Sequence, residues 1–128
     1  MEQGPARFAV GAATLEGAAV LTVRGDLDVV TAPALTDAIA AVDPSIKRVV
    51  VDMSLVDGLD STGVHALFRA HTRLTIAGRE LVVQAPAPAI RQLLEVTGVA
   101  RFVPILEGPG PAMAGPGPQP SEGPGAGP

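Results

Sequence analysis

Apolar and polar positions recur along this chain with two different periods, and each change of period marks an element. Residues 7–13 and 18–24 are apolar and β-branched and flank Leu15-Glu16-Gly17, which predicts two strands joined as a hairpin. Leu35, Ala38, Ile39 and Val42 recur at helical spacing, predicting a helix over residues 31–42 with Thr31 as its cap and Pro33 in its first turn. Residues 47–53 (KRVVVDM) form a short, nearly continuous apolar run, as expected of a strand covered on both faces. The helical period returns at Val64, Leu67, His71 and Leu74, predicting a helix over residues 61–76. Gly78 stands where a left-handed C-terminal cap belongs, and Arg69, Arg73 and Arg79 crowd the negative end of that helix's dipole. Residues 80–84 (ELVVQ) predict a further strand, and Ile90, Leu93, Leu94 and Thr97 a third helical stripe that stops at Gly98. Residues 102–106 can add a short last strand.

The order ββαβαβα, with its optional final strand, predicts an α/β fold: a small mixed β-sheet of four to five strands packed against helices. The central strand–helix–strand unit should be a right-handed parallel crossover. After Glu107 the composition changes, with seven Gly and seven Pro in residues 108–128. Those glycines do not recur at every third position, so the segment is not a collagen strand. It has too little apolar surface to offset the entropy of ordering it, and the chain divides into a domain at 1–107 and a flexible tail at 108–128.

Composition narrows the functional classes. Hydrophobic residues make up 47% of the chain but aromatics only 2%, so the core is aliphatic and no stacking platform for single-stranded nucleic acid is available. Thirteen acids against nine bases give a net charge of −4, which disfavours a phosphate backbone as partner. With no cysteine there is neither a disulfide framework nor a thiolate metal site. MEQGPARF lacks the apolar run of a secretory leader, and no apolar stretch approaches the ~20 residues that span a bilayer. A cytoplasmic protein without membrane insertion is expected.

Chemistry concentrates in residues 49–68, VVVDMSLVDGLDSTGVHALF. Asp57-Gly58 is a turn signal after the buried strand, and Asp60-Ser61 opens the next helix. Asp or Ser at that point accepts hydrogen bonds from the free N–H groups of a first helical turn. Asp60, Ser61 and Thr62 together exceed what a cap needs, and a loop between a strand's C-terminal end and a helix is where open α/β sheets place functional sites. A cap, a nucleophile and a site of modification all remain open on these residues. Against a nucleophile, Ser61 and His65 lie four apart on one helix with Asp60 adjacent, which does not supply an orienting acid and a separate oxyanion hole. The nucleophile elbow G-x-S-x-G is also absent. Two histidines form no metal spacing, His71 reads as a core-edge residue, and no glycine-rich phosphate loop lies between a strand and a helix. No catalytic and no metal-binding residue is expected.

Three blocks, GDLDVVTAPAL (25–35), VVVDMSLVDGLDSTGVHALF (49–68) and APAIRQLLEVTGVARFVPIL (87–106), resemble the signature blocks of the STAS family, most nearly its stand-alone bacterial anti-sigma factor antagonists. The resemblance covers residues 7–106 and excludes the tail. It implies a protein that binds an anti-sigma factor with serine kinase activity, frees a sigma factor, and is turned off when that partner phosphorylates Ser61; a phosphatase resets the site. Partner-binding residues would be Asp28, Asp60, Ser61 and Thr62. No cofactor is implied, ATP being used only by the partner kinase. Thr62 stands where the family often has a second Ser, and Asp26 where Glu is common. The resemblance also admits a non-enzymatic scaffold subunit of a transport ATPase or signalling assembly. The physics accommodates the phosphorylated form: a helix N-terminus favours an anion, while seven acids in residues 25–60 turn the added charge into repulsion at a packed contact.

Overall fold

The computed structural model describes residues 8–108. Its elements are β1 (Ala9–Leu15), β2 (Ala18–Leu27), α1 (Ala32–Ala40), β3 (Arg48–Leu59), α2 (Ser61–Ile76), β4 (Glu80–Gln84), α3 (Pro88–Val96), a 3-10 turn (Val99–Arg101) and β5 (Ile105–Leu106). Arg7 and all of the Gly/Pro segment after Gly108 lie outside the described residues.

The hairpin forms where the pattern placed it. Leu15 pairs with Ala18, so Glu16 and Gly17 make the turn, both at positive φ (52° and 81°). That mirror-image turn matches the twist of an antiparallel strand pair; Gly17 adopts it freely, and Glu16 holds it at a steric cost. The other strands join in chain order, β1-β2-β3-β4-β5, each pairing parallel with its predecessor after the hairpin. The optional last strand is present, with Val83 opposite Ile105 and Gln84 opposite Leu106. The sheet is mixed and five-stranded, in the expected α/β class.

Strand alternation decides where the core lies. Leu21, Val23 and Leu27 of β2, Val49, Val51 and Met53 of β3, and Leu81 and Val83 of β4 share one buried cluster with residues from all three helices. Leu35 and Ile39 come from α1, Leu67, Ala70 and Leu74 from α2, and Ile90 and Leu94 from α3. The helices therefore cover one face of the sheet. Val20, Val50 and Val82 from the other face form a small separate cluster. Val50 and Asp52 point to that second face and are buried as well, so residues 49–53 are covered on both faces as expected although the helices lie on one, and Asp52 accepts the Ser54 backbone N–H at 3.0 Å.

A correction concerns the end of β3. It neither stops at Met53 nor turns at Asp57-Gly58, but runs on to Leu59. The reason is that β2 also continues past Arg24, so Gly25, Asp26 and Leu27 pair with Val56, Gly58 and Leu59. Register shifts between Thr22 and Arg24 and between Gly25 and Asp26 bend this extension, as bulges do. Gly58 leaves room there for the Asp26 side chain, since a Cβ would stand 2.9 Å from Asp26 Oδ1 and push it aside. Glycine in this stretch marks a close approach of two strands, not a turn.

Helix ends follow the signals more closely. Gly78 lies at φ 74°, its N–H donates to Thr75 O at 3.0 Å, and the Arg79 N–H donates to Leu74 O at 2.8 Å, the paired bonds of a Schellman cap. The Arg79 side chain then donates to the carbonyls of Ile46 (2.8 Å) and Asp43 (3.1 Å), tying α2 to the α1–β3 loop. In that loop the Asp43 carboxyl is held below its ordinary value by hydrogen bonds from the Ser45 N–H and, secondly, the Ser45 hydroxyl. Helix α1 is shorter than expected, ending at Ala40, where Val42 N–H already bonds back to Ile39 O in a tighter turn before Pro44. Leu93 of the third stripe faces out, leaving Ile90 and Leu94 to the core.

Candidate functional site

Strands β2 and β3 end side by side, and each passes directly into a helix. The Leu27 carbonyl accepts the Asp60 N–H at 3.3 Å, so the two strand-to-helix connections are bonded to each other. Helix α2 starts close against them. A Cβ at Gly63 would meet Leu27 O at 2.6 Å and Leu59 Cδ1 at 2.7 Å, so only glycine allows this approach. The two connections thereby share one surface at the C-terminal ends of parallel strands, the end where open α/β sheets bind their ligands.

In the second connection Asp60 is the cap. It has extended backbone, its Oδ1 accepts the Gly63 N–H at 2.9 Å, and its own carbonyl accepts the Val64 N–H at 2.9 Å. Ser61 is the first residue of α2, exposed, and its hydroxyl takes no hydrogen bond among the described residues. Thr62 is exposed beside it. One carboxylate thus satisfies the helix start and leaves a free hydroxyl at the positive end of the dipole, with no acid in the first turn of α2 itself.

The first connection is built differently. Asp28 Oδ1 accepts the N–H groups of Val30 (3.0 Å) and Thr31 (3.1 Å). Thr31 Oγ1 accepts the Asp28 N–H at 2.9 Å and lies 2.7 Å from Asp26 O and 3.1 Å from Asp28 Oδ1, its one proton facing both oxygens. Thr31 does stand at the N-cap of α1 but makes no capping bond, contrary to expectation. Its backbone is already helical, which turns the hydroxyl back into the loop. Asp28 is therefore half-buried and engaged in holding the loop, and the loop's apolar tip, Val29 and Val30, is 66% and 80% exposed.

Two grooves flank Ser61 and Thr62. One, of about 680 Å³, runs past Val64 and His65 to Phe68 and Phe102. The Phe68 and Phe102 rings meet edge to face at 5.6 Å, and His71 sits 6.0 and 6.2 Å from them, half-buried at the core's edge as expected. The other groove lies between α1 and α2 and reaches from Val29 and Thr62 to Arg79. Ser61 and His65 line the first together, with no hydrogen bond between them. Of the four expected partner-binding residues, Asp60, Ser61 and Thr62 are exposed and contiguous, and Asp28 reaches this surface through its loop. Val29, Val30, Phe68 and Phe102 were missed. Two adjacent valines in a polar loop were a readable signal; the meeting of Phe68 with Phe102, 34 positions apart in the chain, was not. Among the described residues no cluster of His, Asp and Glu could hold a metal ion, and no helix is long and apolar enough to cross a membrane.

The STAS domain model matches residues 9–109. The chain belongs to the STAS domain family. Among solved structures, this STAS domain is similar to an anti-sigma factor antagonist from Mycobacterium paratuberculosis, at 32% identity and a TM-score of 0.72, covering 82% of this chain and 90% of that one. Its fold is shared by the Bacillus cell fate determinant SpoIIAA in the phosphorylated form, at 15% identity and a TM-score of 0.59, over 77% of this chain and 90% of that one. A sulfate transporter family protein from Wolinella succinogenes also shares it, at 18% identity and a TM-score of 0.67, over 80% and 86%. Comparison with curated proteins gave no match.

Proposed function

We propose that this STAS domain is an anti-sigma factor antagonist. It binds an anti-sigma factor that is also a serine kinase, frees a sigma factor, and is turned off by phosphorylation of Ser61. The single observation that carries the reading is the exposed, unbonded Ser61 hydroxyl on a helix whose cap Asp60 already supplies. Its likeness to the Mycobacterium paratuberculosis antagonist supports the general role.

In this reading the partner brings ATP and the catalytic groups. Ser61 Oγ attacks the γ-phosphorus, the new O–P bond forms as the bond to the departing ADP oxygen breaks, and the hydroxyl proton passes to a base on the partner. A phosphatase later hydrolyses the ester. The domain itself acts without a cofactor, in the cytoplasm where the partner meets ATP. Free N–H groups at the start of α2 accommodate the phosphate, so modification leaves the fold standing. It adds about 1.5 to 2 negative charges next to Asp60, at the head of the groove that runs past Val64 to Phe68 and Phe102. A partner packed on that surface with Asp28, Asp60, Ser61 and Thr62 then has to bury an unpaired charge, and it leaves.

Incubation with the partner kinase and ATP should add one phosphate, located at Ser61 by peptide mass spectrometry and absent from Ser61→Ala. Labelling at Thr62 or Ser54 sinks the assignment. A transporter in place of a kinase among the bound partners of the wild-type chain points to the scaffold role instead.

A further inference from the structure

The groove between α1 and α2 is an interaction surface with its own chemistry. Its floor is apolar, formed by Ala32, Ile39, Ala66, Ala70 and Leu74. Its α2 rim carries His65, Arg69 and Arg73, one helical turn apart, and Asp37 of α1 is the one acid that lines it. Helix α2 contains no acid at all between Ser61 and Ile76. The ion pairs among the described residues are Arg48–Glu80, Arg91–Glu95 and Arg91–Glu107, so Arg69 and Arg73 are left unpaired and exposed. A chain of net charge −4 with acids to spare has kept this rim cationic.

The shape of the groove selects the occupant. From Thr62 to Ala77 it follows α2 for about 22 Å at ~1.5 Å per residue. A compact small molecule would reach only part of that length, and an acyl chain brings one anion at one end, whereas the cations here repeat along the rim. Repeating acids one turn apart over an apolar stripe are the pattern of an acidic amphipathic helix.

The geometry points to the α1/α2 groove as a docking site for an acidic amphipathic helix of a protein partner, its apolar stripe on Ala40, Ala66 and Ala77 and its carboxylates on Arg69 and Arg73. This docking surface adjoins the contact at Ser61 through Val29 and Thr62 and runs from there along α2 to Arg79, and its arginines lie outside that contact.

The probe is a synthetic, fluorescein-labelled helix of about 18 residues, with a Leu/Ala stripe and Glu placed at i, i+4 and i+8 along one border of it. Anisotropy is read against the full chain, and the partner peptide carries Lys in place of those Glu. The Glu peptide should saturate the wild-type chain, and Arg69→Glu/Arg73→Glu should weaken it by about tenfold or more. The Lys peptide should prefer that double variant, a reversal that loss of folding cannot produce. Ser61→Asp should change the affinity for the Glu peptide by less than about twofold, so failure here and failure of the Ser61 assignment are read separately. No saturation by roughly 1 mM Glu peptide, or equal binding of the Glu and Lys peptides, overturns the proposal. Displacement of bound Glu peptide by dodecanoate with no effect of the double variant overturns it in favour of a single-headed amphiphile.

Discussion

The connection after β2 and the connection after β3 emerge at the same end of the sheet, are hydrogen-bonded to each other through Leu27, and both carry an aspartate and a hydroxyl. In Asp28-Val29-Val30-Thr31 the carboxylate and hydroxyl bind each other and the loop backbone. In Asp60-Ser61-Thr62-Gly63 the carboxylate caps the helix alone, and the hydroxyl next to it is unclaimed. The spacing accounts for the difference. Two residues separate Asp28 from Thr31, enough for their side chains to close a turn, whereas Ser61 directly follows Asp60 at the first position of α2. A free hydroxyl is thus obtained by withholding a partner from it, while an equivalent group nearby is spent on shape.

The largest expected effect tests the unclaimed hydroxyl. Ser61→Asp should weaken binding to the proposed kinase partner by about a hundredfold or more, near 2.7 kcal/mol, while Ser61→Ala binds like wild type. Calorimetric titration of both variants decides it, and equal affinities would reduce Ser61 to a residue of the helix surface. The next effect is on stability and belongs to the wall between the two connections. Gly63→Ala places a methyl group against Leu27 O and Leu59, and overpacking of that kind costs about 1–3 kcal/mol, more than the ~1 kcal/mol that alanine gains in helix propensity. Its urea midpoint should fall; an unchanged midpoint would mean that the two connections are not held as closely as described.

Smaller differences sharpen the comparison. Asp60→Ala should cost about 0.5–2 kcal/mol through the lost cap, and Asp60→Ser should recover most of it. Thr31→Val removes the hydroxyl that closes the first loop and should cost about 1 kcal/mol. Ser61→Ala, with no bond to lose, should stay within about 0.5 kcal/mol of wild type by the same denaturation curves. A Ser61→Ala cost as large as that of Asp60→Ala would show the serine to be part of the cap.

Much of this was legible in the sequence where local rules decide. The Glu16-Gly17 turn, the Schellman glycine Gly78 and the stripe through Leu67 and Leu74 depend on neighbours within a few residues. What was hidden depends on partners far along the chain. Asp57-Gly58 reads as a turn because the local preference of Gly is for turns; only the pairing of Gly58 with Asp26, 32 residues earlier, keeps it in a strand. Thr31 reads as a cap for the same local reason, and its capture by Asp26 and Asp28 depends on the bend that those register shifts impose. Val50 and Asp52 look like members of one apolar run because composition does not say which face the helices take. At the site, Asp60-Ser61 was readable as a helix start, but which of the two would cap and which would remain free was a matter of geometry.

The order of the strands has a consequence for how the chain comes together during synthesis. Because each strand pairs with the one made just before it, no strand has to wait for a distant partner to be translated. Ala19 meets Val49, and Val49 meets Leu81, with only about thirty residues between partners in each case, so each closure carries a similar and modest entropic cost. The hairpin provides a template before any helix exists, and every later helix and strand can be laid onto a finished edge. The two strand ends that carry Ser61 are in place once α2 has docked, while the groove beside them is closed only when Phe102 arrives after α3.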